Sequence, residues 1–510
     1  MYRLLLPLLL LSVLRPQAQD VVDATTLSGK TMAGYQGWFR TPGDRVGNNG
    51  WSHLFNRDLT RPGFDTWPDM SEYKKDEKTA VPGFTYPNGS QAYLYSGQNA
   101  KAVLRHFEWM KQYGIDGVWL SEFCGYFAGG NGQNDSTTVM TIMNNVRAAA
   151  RATGRTWAFM WDMSSFGART SKSDVYNIIV NQWKRMVDEG VTSDPRYLHD
   201  KGRPVLLIWG FFPGRPASQP DYMNPVLDFL LAPGPYQAAL VAGVDDKWRQ
   251  GTPEFVSMLM RCTALQPWSV GRRVLDPKTG YQVSNTTKWA DDITLCQAHN
   301  VKYIPVFNSG THIAGPPPIP PAQPTVPRRM GNYLWEQFVA ASRTGQIDGA
   351  FIAMFDEINE GTQITKVTNH PPVQFPFLTY DGATSDYYLR LVGLGAKLLR
   401  TSTPVPEVIP ISPFSEKKAY QLTRPQGWDY KGFDWTILYD GQGYYTLKYK
   451  PTGKVLTDGG QLLSGDGSDK QRWHMEWDGS GTCKITNKAS GKALLDEGDR
   501  WVVEEPMDGH

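Results

Sequence analysis

Between Thr31 and Leu399 the sequence repeats one pattern eight times: a short apolar run, a polar stop, then a segment with helical spacing. The runs are Thr31–Phe39, Ile115–Glu122, Thr156–Asp162, Val205–Gly210, Ala238–Val244, Ala264–Trp268, Tyr303–Asn308 and Ala350–Phe355. The helical segments are Lys101–Tyr113, Thr137–Ala150, Ser173–Val187, Asn224–Leu231, Pro253–Arg261, Trp289–Ala298, Asn332–Arg343 and Tyr387–Leu399. Continuous apolar runs suit strands covered on both faces, as in a parallel sheet. Regular alternation of strand and helix implies the same, because parallel neighbours need crossover connections. Eight such units, with polar residues gathered after the strands, predict an α/β fold closed as a (β/α)8 TIM barrel. An open dinucleotide-binding sheet is disfavoured, since no Gly-x-Gly-x-x-Gly opens the helix after the first strand. The glycine loop Gly129-Gly-Asn-Gly132 lacks the Lys-Ser/Thr of a phosphate loop.

The eighth run stops abruptly in acid: Asp356, Glu357 and Glu360, then Gly361. Carboxylates at the end of a barrel strand are where catalysis sits in this architecture. In a continuing strand Glu357 and Glu360 would point to opposite faces. They converge only if the chain turns after Glu357, and Gly361 makes that turn feasible. Two converging carboxylates are the working parts of glycoside hydrolysis, one acting as acid and the other as base or nucleophile. The alternative is a solvated acidic loop that caps the next helix. The other strand ends offer Glu122, Asp162, Asp245, Asp246 and Asn308, with Trp38, Trp119, Trp161, Trp209 and Trp268 close by. An acidic, aromatic-lined, amide-bearing cleft suits a neutral polyhydroxylated substrate. Glu357 and Glu360 are therefore the expected catalytic pair. Asp356, Glu122, Asp162, Asn308, Trp38, Trp161 and Trp209 are the expected substrate-binding residues, although each tryptophan has the barrel core as its alternative place.

Other chemistries lack their parts. The eight histidines form no His-x-His pair and no His-Glu-x-x-His, so no catalytic metal and no cofactor are expected. No Gly-x-Ser-x-Gly elbow occurs. The 52 basic and 50 acidic side chains leave a formal charge of +2 without clustering, which argues against nucleic acid or an anionic membrane as partner. A monomer acting on an oligosaccharide or polysaccharide is the expectation.

Met1 to Gln19 has a charged start and an apolar core from Leu4 to Leu14, too short to span a membrane. This reads as a signal peptide, so a secreted or extracytoplasmic protein is expected. Cys262 and Cys296 are then the expected disulfide pair among the four cysteines. A loop of about 55 residues after the first strand exceeds ordinary connections and reads as functional. Gly315-Pro-Pro-Pro-Ile-Pro-Pro-Ala-Gln-Pro324 is a stiff segment on the same rim, either a wall over the cleft or an ordinary surface loop.

The catalytic domain spans 20–401, and a Pro-rich linker, 402–414, follows. Within 415–510, Trp435, Tyr445 and Gly453 open short β segments that return at Trp473, Cys483 and Gly491, each 38 residues on. The tail is thus a small all-β domain with an internal repeat.

The segment Phe355-Asp-Glu-Ile-Asn-Glu-Gly-Thr-Gln363 resembles the Asn-Glu-Trp-x-Glu-Gly-Thr-Gln segment of glycoside hydrolase family 99, the endo-α-1,2-mannosidases and mannanases. Tyr35-Gln-Gly-Trp-Phe39 is similar to that family's early Tyr-x-x-Trp-Tyr segment, and Gly114–Glu122 to its strand after the first long helix. The resemblance implies a barrel of the family 71/99-like group over residues 30–400. It implies that Glu357 acts as base on the sugar 2-hydroxyl, giving retention through a 1,2-anhydro sugar. It gives Glu360 the general acid/base role on the leaving oxygen. Asp356 replaces the family's Asn and Ile358 its Trp, so an α-glucan substrate, as in family 71, remains an alternative to an α-mannoside. The tail resembles a ricin-type β-trefoil through Gln471-Arg-Trp473, with Leu456-Thr-Asp458 and Leu494-Leu-Asp496 standing where such lectins place a Leu-Asp. That resemblance implies sugar binding at these aspartates; a structural β cap is the alternative. A third repeat would fall within Ser415–Trp428.

Overall fold

The computed structural model describes the chain except for residues 1–20, 46–47, 56–60, 126–135, 278–280, 312–325, 415–434, 440–442, 450–451, 478–482, 497–500 and 505–510. The expected signal segment, the glycine loop, the Pro-rich rim segment and the third repeat lie outside the described residues.

Eight parallel strands close into a barrel. The first six are Lys30–Tyr35, Gly117–Phe123, Thr156–Asp162, Arg203–Phe211, Ala239–Asp245 and Ala264–Trp268, and the eighth is Gly349–Ala353. Each pairs in parallel with the next, and the eighth returns to the first through Lys30 opposite Gly349. The seventh is broken in two. Lys302–Tyr303 pairs with the sixth strand, and Val306–Asn308 pairs with the eighth. Pro305 lies in the gap, where its missing N–H interrupts the ladder. Its carbonyl still accepts from Phe351 at 3.0 Å, so this broken strand closes the ring.

The helices are α1 Ala100–Tyr113, α2 Ser136–Thr153, α3 Lys172–Asp188, α4 Pro220–Leu231, α5 Pro253–Leu259, α6 Trp289–Ala298, α7 Asn332–Thr344 and α8 Tyr387–Arg400. Local sequence explains their ends. Asn99 caps α1 by accepting from the Lys101 and Ala102 amides, and Gly114 terminates it at φ 78°. Ser171 and Asp174 form a reciprocal capping box on α3. Among the described residues no helix is long and apolar enough to cross a membrane.

Ring contacts show which way each strand's side chains point. Phe351 meets Trp119 and Trp268 inside the barrel. Tyr35 meets Phe107 of α1, Trp161 meets Trp183 of α3, and Phe307 meets Phe338 of α7, all in the layer between strands and helices. The long connection after the first strand is not structureless. It carries a hairpin, Thr79–Thr85 with Gln91–Leu94, and packs Trp67 against Phe64, Phe84 and Phe377.

One expectation fails. Cys262 and Cys296 are not bonded to each other: both are buried free thiols, on α5's exit and on α6. Burial pushes each up to about 12, which keeps them protonated and inert.

The C-terminal domain is antiparallel, and its strands follow the repeat. Trp435–Tyr439, Tyr445–Tyr449, Lys454–Leu456 and Leu462–Leu463 make one four-stranded unit. Trp473–Trp477, Cys483–Asn487, Ala493–Asp496 and Trp501–Glu504 make the second. Gln471 and Trp473 serve the fold. Gln471 is buried and holds Ser464 and Asp466, while the Trp473 indole donates to the Leu456 carbonyl at 3.2 Å. The linker lies along α7 and α8. Trp335 donates to Pro406, Ser342 accepts from the Val405 amide, and Arg390 donates to Ser412.

Candidate active site

After the eighth strand the chain folds back within twelve residues. Met354 donates to Thr362, and Ile364 donates back to Met354 at 3.0 Å. Ile358 turns onto Asp356 at 2.8 Å, and Gly361 takes φ 64°. The turn that convergence requires is therefore present, with glycine at its left-handed position. Asn359 donates to the carbonyls of His53 and Gly63, tying the loop to the long first connection.

Glu357 is 3 % exposed, and its Oε1 has no hydrogen-bond partner. Burial, then the charge of Glu360, then that of Asp356, hold its carboxyl well above the usual range. Glu360 reaches solvent, yet burial by the surrounding loop still raises its carboxyl. Two like charges repel reciprocally, so this buried pair resists double ionisation and holds one proton above the usual carboxylate range.

The remaining expected residues divide by the face they occupy. Neighbours in parallel register share a face of the sheet. Trp209 stands opposite Asp162 and Gly243, on the interior face. It meets Phe212 and Trp268 edge-on, and a side chain at Gly243 would collide with it at 2.8 Å. Asn308 stands opposite Ala353 and is fully buried, its side chain beside the Tyr333 hydroxyl. Asp162 caps the short turn Met163–Ser165 through Ser164, and burial raises its carboxyl while Arg215 opposes the shift. Trp38 lies at the rim, stacked with His53 at 4.4 Å and with Phe123 at 5.9 Å.

Three residues sit elsewhere. Trp161 faces α3 and is wholly buried there. Glu122 is Trp161's register partner, so it too faces the helices, and burial followed by Asp356's charge raises it strongly. Asp356 gives its two oxygens to the backbone amides of Gln36 and Gly37, at 2.9 and 2.8 Å. Burial still raises it to about 6. Glu122 and Asp356 thus form an acidic layer behind the cleft. Asp245 and Asp246 are ion-paired to Arg272, and Asp246 also to Lys288.

Two cleft residues escaped the sequence reading. Gln266 stands opposite Gly243 on the interior face, fully buried, with both amide atoms unpartnered. A polar residue inside the apolar run Ala264–Trp268 was its only sequence signal. Gln36 is buried, and its side chain lowers the Glu357 carboxyl by hydrogen bonding. Among the described residues no three His, Cys, Asp or Glu side chains are grouped to hold a metal.

Residues 431–500 match the family model of the ricin-type β-trefoil lectin domain-like proteins. No curated relative matches the chain. Two solved structures of the GH99 endo-alpha-mannosidase from Bacteroides thetaiotaomicron align with it at 16 % identity. Each alignment covers 74 % of this chain and 99 % of that one. The TM-score is 0.51 for the complex with BIS-TRIS-propane and 0.50 for the other. At that identity the likeness is one of fold.

Proposed function

We propose that the protein is a secreted glycoside hydrolase that cleaves an α-linked glycan, an α-mannan or α-mannoside-like one, with Glu357 and Glu360 as its catalytic pair. The observation that carries this reading is the loop itself. It sets two charge-coupled carboxylates, both raised by burial, at the C-terminal rim of a closed barrel. The fold likeness to an endo-alpha-mannosidase and the lectin-like tail support a glycan as substrate.

In this mechanism Glu360 protonates the departing glycosidic oxygen while Glu357 takes the proton of the sugar 2-hydroxyl. The 2-oxygen closes on the anomeric carbon as the leaving group departs, giving a 1,2-anhydro sugar. Water then opens that ring, with Glu360 as base and Glu357 returning the proton, and the configuration is retained. The pair needs one proton, placed on Glu360. Burial and the mutual repulsion of the two carboxylates favour the singly protonated pair that this step uses. Gln266 offers an unpartnered buried amide for sugar hydroxyls, Asn308 an amide beside the Tyr333 hydroxyl, and Trp209 an apolar wall.

The test is release of reducing ends from α-mannans, α-glucans and N-glycan oligosaccharides by the full chain. Cleavage of one class would name the substrate. Binding without cleavage of any would instead favour a carbohydrate-binding protein on a disabled barrel.

A further inference from the structure

Arg328 stands just before α7, between Thr311's bridge partner Val326 and the helix. Its Nη2 donates to two carbonyls of the acidic loop, Gly361 at 2.8 Å and Gln363 at 2.7 Å. Thr311 Oγ1 donates to the Glu360 carbonyl at 3.1 Å. The two peptide planes that follow Glu360 are therefore both fixed, one by a hydroxyl and one by a guanidinium. The guanidinium is itself located by two rings, 4.6 Å from the centre of Tyr388 and 5.0 Å from that of Tyr380. Tyr380 completes the grip by donating to the Thr365 carbonyl at 2.6 Å.

The backbone behind Arg328 is built to aim it. Arg329, Met330 and Gly331 take φ of 45°, 47° and 87°, three left-handed residues in succession. Only the last is glycine, so the turn is held by its surroundings. Tyr387 donates to the Met330 carbonyl at 2.9 Å, and a side chain at Gly331 would come within 2.8 Å of Leu391. Arg329 points the other way, to Glu336 and, at 3.6 Å, to Glu476 of the C-terminal domain.

We propose that Arg328 is the positioning residue for Glu360: its guanidinium, clamped on the Gly361 and Gln363 carbonyls, sets the direction from which Glu360 reaches the leaving oxygen. This rests on the assignment of Glu360 as acid/base. Arg328 need not touch substrate. Methionine keeps most of its stem packing but takes the guanidinium from both carbonyls, leaving Gln363 only its longer contacts from Ser309 at 3.3 Å and Tyr380 at 3.4 Å, whereas lysine keeps the charge over the tyrosines.

Two measurements on the full chain test the role. Hydrogen exchange reads the loop whether or not a substrate is known. In Arg328→Met the amides of residues 361–365 should exchange at least about tenfold faster, with α3 and α4 unchanged; unchanged loop exchange would overturn the proposal. On the glycan that the wild type cleaves, Arg328→Met should lower kcat by about 10- to 100-fold with KM little altered, because misplacement strikes the chemical step. An aryl glycoside with a good leaving group needs little protonation, so there the loss should shrink to a few-fold at most. Arg328→Lys should fall between. Equal losses on both substrates, or a change in KM alone, would overturn the role. A wild type that cleaves nothing would sink the hydrolase reading, and the exchange result would still decide the clamp.

Discussion

Glu122 is buried behind the cleft, with its Oε1 unpartnered and its carboxyl raised well above the usual range by burial. A raised carboxyl pKa means that the folded state favours the neutral form. The stability it contributes is full below the unfolded value and is lost as pH rises through the folded value. Asp356, raised from 3.8 to about 6, loses its share between those two values. That shift corresponds to about 3 kcal/mol. Glu122 therefore favours pH 5 over pH 8, against the buried His53 and His106, which burial lowers to about 4 and about 3 and which favour the higher pH. Glu122→Gln should raise the melting temperature at pH 8 and flatten the profile. Thermal scans of both proteins across that range check this, and a Glu122→Gln gain at pH 8 no larger than at pH 5 would contradict the assignment. Catalysis should carry the same mark. Both Glu357 and Glu360 are raised, so the acidic limb of kcat/KM against pH should lie above the ordinary carboxylate range near 4.5. A limb at that ordinary value would mean that neither group governs the rate.

At the scale of elements, glycines mark contacts that propensity cannot reveal. Gly393 lies inside α8, where alanine would ordinarily add about 1 kcal/mol. Here a Cβ would stand 1.8 Å from the Tyr113 carbonyl at the end of α1. Gly393→Ala should therefore destabilise, by about 2 kcal/mol or more, as α8 is forced off α1. Denaturant titration reads the sign, and a more stable variant would contradict the packing. The same scale shows what was legible in the sequence. Thr156–Asp162, Ala264–Trp268 and Trp289–Ala298 form where the apolar runs and helical spacing place them. The face of each side chain was not legible. A strand buried on both sides has no polar alternation, so nothing in Thr156–Asp162 says that Trp161 faces α3 while Asp162 faces the interior. Glu122 follows from the same ambiguity, being fixed only by its register with Trp161. The loop acids were legible because an apolar run that ends in carboxylates and glycine needs no face assignment.

For the whole molecule, the 38-residue repeat marked two strand units correctly, but nothing in it says where they dock. The linker buries Val405, Ile409 and Phe414 in a core continuous with both domains. Gly443 of the tail packs against Val408 and Ile409, and Arg329 reaches Glu476 beside the segment that grips the acidic loop. Barrel and tail should therefore unfold in one calorimetric transition, and two well-separated transitions would contradict this shared core. The central claim, that Glu357 and Glu360 are the working pair of a glycosidase, meets its most direct test in kcat/KM. The comparison is wild type, Glu357→Gln and Glu360→Gln on the α-linked glycan that the wild type cleaves. Each substitution should cost at least about 10²-fold with an unactivated leaving group. A variant that keeps activity within about threefold of wild type would remove that carboxylate from the mechanism, and with it the account of this loop.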